Sequence, residues 1–248
     1  MNTYPEKAWI GLGFWYNRQG GEMIRIDVTG IDSAARRMGV VANQIPFAAS
    51  NALNAVAFKA RTGLQEEMKS SLDRPKPWTV KQVRVKKSTK RNLEAIVGSP
   101  QAVAGKSGIL DQILGPHIRG TQRRSKPIES RLRAIGLMPS GYYAIPASGT
   151  RRDRYGNMTR AAWRKLLRTN QERKLFSALP DQPKTAHLAP GIYERVNRRR
   201  IRPLVVFVPM APKYGKRLPW SETAHEIVRA EFGSEFAVAY RRALASAR

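Results

Sequence analysis

Residues 188–220 read LAPGIYERVNRRRIRPLVVFVPMAPKYGKRLPW. Ile192, Tyr193 and Val196 mark one strand, residues 197–200 (NRRR) turn the chain, and IRPLVVFVP returns as a β-branched and aromatic run. Antiparallel pairing is what so short a connection allows. Pro203 has no N–H for a sheet ladder, which predicts an edge or a strand start at that point. The same segment is therefore built for a dry core and carries, a few residues away, a cluster of arginines.

Downstream, residues 220–248 are expected to form a terminal helix capped by Ser221, with Val228, Phe232, Phe236, Tyr240 and Ala243 on one side. Its acidic first half (Glu222, Glu226, Glu231) and basic end (Arg241, Arg242, Arg248) suit the helix macrodipole. Upstream, Ile24, Ile26 and Val28 alternate as in a half-buried strand. Asp32 or Ser33 can cap the segment that follows, and Pro46 restarts it. Ala49, Leu53, Val56, Ala60, Leu64 and Met68 then recur at three- and four-residue steps, predicting a long amphipathic helix that stops before Pro75. In TVKQVRVKKSTKRNLEAIVGSP, Val83 and Val85, then Leu93, Ala95 and Val97, alternate around a polar turn. That is a hairpin with one apolar and one basic face, the latter bearing Lys81, Arg84, Lys86, Lys87, Lys90 and Arg91.

Residues 1–22 read as an N-terminal extension, set off by Gly20-Gly21. Its Trp9, Phe14, Trp15 and Tyr16 can pack back on the domain or dock on a neighbour. Residues 100–190 read as an irregular, Gly- and Pro-rich insertion with short helices at 107–114, 126–136 (Ser125 as cap, Pro127 in the first turn) and 159–175. SGTRRDRYGN reads as a surface loop and ALPDQPKTAHLAP as a linker. The fold class expected is thus α+β: an antiparallel sheet packed with a long N-terminal helix and a C-terminal helix, with a basic insertion between them.

The charge is the anomaly. Forty-five Lys and Arg against 18 Asp and Glu leave +27. Self-repulsion of that size points to an acidic companion: nucleic acid first, acidic protein surfaces second, an anionic membrane last. The excess is spread over 119–133, 151–154, 160–174, 195–202 and 213–217. There are no cysteines, so disulfides, thiolate metal sites and cysteine nucleophiles are excluded. No stretch approaches the ~20 apolar residues of a membrane-spanning helix, and the N-terminus does not read as a signal peptide. His117, His187 and His225 stand apart, without metal-ligand spacing. Asp153 and Glu194, acids amid arginines, read as local charge partners. No metal, cofactor or catalytic residue is expected, and no enzyme activity.

Three stretches carry a family resemblance: KPIESRLRAIGLMPSGYYAIPA with DRYGNMTRAAW, HLAPGIYERVNRRRIRPLVVFVP, and YGKRLPWSETAHEIVRAEFGSEFAVAYRRAL. With AASNALNAVAFKAR, bearing Asn51 and Asn54, they resemble the minor tail proteins of tailed bacteriophages, similar to the tail-completion group Z of lambda-like phages. The likeness spans about residues 23–248 and leaves 1–22 unmatched. It implies a structural virion protein at the head-proximal end of the tail, made in the host cytoplasm, forming a sixfold ring with tail-tube and neck proteins near the DNA path. A tail terminator or head-to-tail adaptor is the close alternative; a free nucleic-acid-binding protein is another. Residues expected to face a partner or double-stranded DNA are Lys86, Lys87, Lys90, Arg91, Arg151, Arg152, Arg198, Arg199 and Arg200.

Overall fold

The computed structural model describes residues 11–16, 23–29, 44–99, 109–168 and 174–246. The architecture is α+β, with antiparallel sheets and long helices near each end of the chain. The expectations for Trp9, Gly20-Gly21, the Asp32 or Ser33 cap, residues 107–108 and 169–173, and Arg248 fall outside the described residues.

The chain divides into two compact units, Met1–Arg119 with Lys216–Arg248, and Gly120–Gly215. In the first, β1 (Gly11–Tyr16), β2 (Met23–Thr29), β3 (Arg84–Lys86) and β4 (Glu94–Gly98) form an antiparallel sheet in the order β1-β2-β4-β3. β1 lies inside the stretch read as an extension. Its register, Gly11 opposite Thr29 to Tyr16 opposite Ile24, makes it an edge strand of its own chain's sheet. Ile24, Ile26 and Val28 are buried as the alternation requires, and Ala95 and Val97 join them from β4.

Helix α1 (Gln44–Ser71) holds Pro46 in its first turn, where the missing N–H has no bond to lose. Ala49, Leu53, Val56, Ala60, Leu64 and Met68 are all fully buried. Alanines along this stripe let another helix approach closely. α6 (Trp220–Ser246) packs there, and Val228, Phe232, Ala239 and Ala243 enter the same core. Because α6 starts at Trp220, Ser221 lies inside the helix instead of capping it; its hydroxyl donates to Glu222 at 3.1 Å. Lys81 likewise leaves the hairpin, ending a short helix, α2 (Pro77–Lys81), whose first turn accommodates Pro77. Helix α3 (Ile109–Arg119) runs through Pro116 past the expected stop at 114. Leu110, Leu114 and Ile118 are buried at four-residue steps, and that burial offsets the bond the proline removes.

The second unit corrects the picture of an irregular insertion. It contains its own antiparallel sheet, β5-β8-β7-β6, made of β5 (Tyr143–Pro146), β6 (Leu175–Ala178), β7 (Gly191–Arg195) and β8 (Ile201–Val208). The hairpin of residues 188–209 therefore builds this core, with Leu132, Leu137, Ile192, Val205 and Phe207, while the terminal helix belongs to the core of the first unit. β8 is an inner strand, but β5 pairs only with residues 205–208. Pro203 sits beyond that reach, opposite Tyr193 at a register shift, where a missing N–H is tolerated. α4 (Pro127–Ala134) begins after Lys126, so Ser125 is not its cap. Glu129 closes that end instead, accepting from the Lys126 N–H at 2.6 Å. α5 (Arg160–Leu166) is capped by the Thr159 hydroxyl oxygen, which accepts from Ala162 N–H at 3.1 Å. It ends before Leu175, which belongs to β6 and not to a helix.

Candidate functional site

Residues 195–202 are all exposed, and five of the eight are arginine. The turn between β7 and β8 is set by Asn197. Its Oδ1 accepts from the backbone N–H of Arg199 at 3.0 Å and of Arg200 at 2.8 Å, while Val196 N–H donates to the Arg200 carbonyl at 2.9 Å. The loop is thus closed by one short side chain and the backbone. None of the three arginine side chains is spent on holding it. Among the described residues, Arg198, Arg199 and Arg200 have no carboxylate within ion-pair distance.

Other cations converge on the same end of the sheet. Glu194, one residue before Arg195, accepts from Lys165 of α5 at 2.8 Å and pairs with Arg202 at 2.6 Å. The Lys165 ammonium, then the Arg202 guanidinium, hold its carboxyl below the ordinary glutamate range against a partial burial that pushes it up. Arg195 N–H donates to the Lys174 carbonyl at 2.7 Å, which brings the start of β6 alongside. The Arg195 guanidinium lies 4.6 Å over the Phe176 ring, which is itself stacked on Tyr193 at 5.6 Å. Lys165 and Arg202 thus pair with Glu194, and Lys174, Arg195, Arg198, Arg199 and Arg200 add five further cations on the adjoining segments.

The loop bearing Arg151 and Arg152 is laid against β8. Ala147 N–H donates to the Leu204 carbonyl at 2.9 Å, and the Thr150 hydroxyl donates to the same oxygen. A Cβ on Gly149 would stand 2.7 Å from the Pro203 carbonyl oxygen, so this approach requires glycine. Arg151 is exposed, while Arg152 donates to the Pro146 carbonyl at 2.9 Å. Gly149→Val is expected to lift this loop from β8 and to cost about 1–3 kcal/mol. Thermal melts would measure the loss, and faster amide exchange at Ala147 would localise it; an unchanged exchange rate there would contradict the contact. Asp153 shapes the turn that follows. Its carboxylate accepts from the N–H groups of Tyr155 (3.0 Å) and Asn157 (2.9 Å), closing a turn in which Gly156 takes φ +77°.

Lys86, Lys87, Lys90 and Arg91 belong to the first unit. They are exposed on β3 and on a tip where Thr89 and Asn92 exchange backbone bonds of 2.8 and 3.0 Å. The Asn54 side chain on α1 pins this hairpin, accepting from Ser88 N–H at 2.7 Å and donating to the Ser88 carbonyl at 3.2 Å. Lys87 sits 5.5 Å over the Phe58 ring, leaving Lys90 and Arg91 as the tip's charges. Nine candidate residues therefore separate into two places: four here, and Arg151, Arg152 and Arg198 to Arg200 in the second unit.

Among the described residues, no three His, Cys, Asp or Glu side chains are grouped to hold a metal ion, and no helix is long and apolar enough to cross a membrane. No family model, curated protein or solved structure matches this chain. The chemistry of the site is therefore read from its own residues: exposed guanidinium and ammonium groups, the donors suited to an anion. Lys165, Lys174, Arg195 and Arg202 were not singled out from sequence. The signal available was Glu194, an acid directly before residues 195–202, five of which are arginine.

Proposed function

We propose that this chain is a structural protein of a tailed-bacteriophage particle, a minor tail or tail-completion component at the head-proximal end of the tail. In this reading it has no catalytic role and works as a ring, with sixfold symmetry favoured, against tail-tube and neck proteins and close to the DNA path. The sequence resemblance supplies the setting. The observation that carries the reading is the arginine end of the second unit, where residues 195–202 are exposed and, among the described residues, Arg198, Arg199 and Arg200 have no carboxylate within ion-pair distance. Clustered like charges destabilise a free subunit and are retained where an anionic neighbour is permanently opposed to them. A tail terminator or adaptor would share this surface. The net charge of +27 also favours a second reading, a free nucleic-acid-binding protein. Mass spectrometry of purified virions, with tails separated from heads, distinguishes them: the chain is expected in the tail fraction at a fixed ratio to tail-tube protein. Its absence from washed virions would overturn the particle assignment.

A further inference from the structure

We infer that the arginine end of the second unit binds the backbone of double-stranded DNA, without regard to sequence. The inference names the partner of the surface proposed above and rests on that reading only for where the DNA comes from.

Charge narrows the choice of partner. Between Gly120 and Gly215 there are 21 Lys and Arg against five Asp and Glu, so this unit carries +16 of the chain's +27. A second copy of the chain is poorly equipped to oppose it. Nine of the 18 Asp and Glu are already in ion pairs within the described residues, and the others are scattered along the sequence. A duplex supplies a phosphate charge about every 1.7 Å of its axis, whatever its sequence.

Shape and surface chemistry narrow it further. Protein partners are held by Trp, Tyr or Arg anchors set among packed contacts that exclude water. In residues 195–202 the apolar side chains are only Val196 and Ile201, at the flanks of the turn. A single strand would need open aromatic faces for its bases. Here the Phe176 ring lies between Arg195 and Tyr193, and Tyr193 is buried with its hydroxyl donated to the Ala189 carbonyl at 2.8 Å. What remains is the end of the β7–β8 hairpin: one pair, Arg195 opposite Ile201, and the turn of residues 196–200 lie past the paired lengths of β5 and β6, with guanidinium groups at the tip. A narrow exposed tip of this kind can reach the phosphates that border the ~12 Å major groove of B-DNA. No contact to a particular base is built into it, since the turn's one amide side chain, Asn197, is spent on the backbone.

The test uses the full chain and a fluorescein-labelled 24-base-pair duplex of arbitrary sequence, with the same strand unpaired and with polyglutamate as competitors. Binding of the duplex is expected to be independent of sequence and to fall linearly in log–log form with salt. Changing Arg198, Arg199 and Arg200 together to Ser should reduce that slope by about two to three, since each phosphate contact contributes about 0.9. Lys86→Ser, Lys87→Ser, Lys90→Ser and Arg91→Ser in the first unit should change it less. Circular-dichroism melts establish that each variant is folded; should the triple Ser variant melt early, Arg199→Gln alone is expected to lower the slope by about one. An unchanged slope in the arginine variants, or polyglutamate displacing the duplex at equal charge concentration, would overturn the DNA contact. Either result would leave the particle assignment to the virion measurement, which does not depend on DNA binding.

Discussion

Replacing Glu129 by Gln should destabilise the second unit by about 3–5 kcal/mol, the cost of leaving one member of a buried ion pair alone. Glu129 is fully buried and Arg123 nearly so, with the guanidinium 2.5 Å from the carboxylate. The carboxylate also accepts from the N–H groups of Lys126 and Ala144, and Arg123 reaches the carbonyl of Arg124 at 3.1 Å. One acid therefore ties the loop before α4 to β5. At 4–8 °C per kcal/mol for a domain of this size, the melting temperature of the unit should fall by roughly 10 °C or more. Glu129→Gln combined with Arg123→Met should recover part of the loss, because removing both charges leaves neither one buried alone. A single variant that melts within a degree of the parent would show that the pair is not closed.

Acid should act on the same unit. Burial pushes the Glu129 carboxyl up, but the Arg123 hydrogen bond and the two backbone N–H groups together hold it below its ordinary value of 4.5. Glu194 is held low by Lys165 and Arg202. A carboxyl lowered on folding stabilises fully above the unfolded value, and that contribution is lost as pH falls through the folded one. Amides of β5 to β8 are thus expected to lose protection as pH drops below about 4.5, and Glu129→Gln should flatten that dependence.

In the first unit, Trp220→Ala is expected to cost about 3–5 kcal/mol. Trp220 is the largest fully buried side chain and opens α6, so its loss leaves a cavity where that helix joins the core with α1. Trp220→Phe should cost much less. It keeps most of the apolar contact and gives up an indole N–H that bonds to no acceptor among the described residues. Denaturant titration followed by amide exchange would place the loss in α1 and α6. Equal protection in parent and Ala variant would contradict the packing.

How legible each part was follows from its length and its partners. α1 and α6 carry their apolar period for 28 and 27 residues, long enough to announce both helices and most of their buried faces. β3 with β4 and β7 with β8 are adjacent in sequence, so alternation and turn chemistry suffice. β5 and β6 are four residues each, too short for a period, and they pair with strands more than ten residues away. That is why a packed unit read as an irregular insertion. Within the site, Arg198 to Arg200 declared themselves by contiguity. Lys165, Lys174 and Arg195 meet only through tertiary contacts with β7 and Glu194. Arg123 shows the opposite failure: it lies in a run of surface cations, and nothing in that run marks it as the buried one.

In the sequence, Gly120–Gly215 interrupt the first unit, and that order has a consequence for synthesis. The ribosome makes domains from the N-terminal end, and each generally folds once its own residues have emerged. Here the second unit is complete at Gly215, whereas α1 must wait for residues 216–246 before its alanine stripe is covered. The inner unit is therefore ready to fold before the outer one that brackets it. Throughout that interval the nascent chain carries Leu53, Leu64 and Met68 without their partner helix, and it is then that a chaperone, or a premature encounter between two unfinished chains, would act on it.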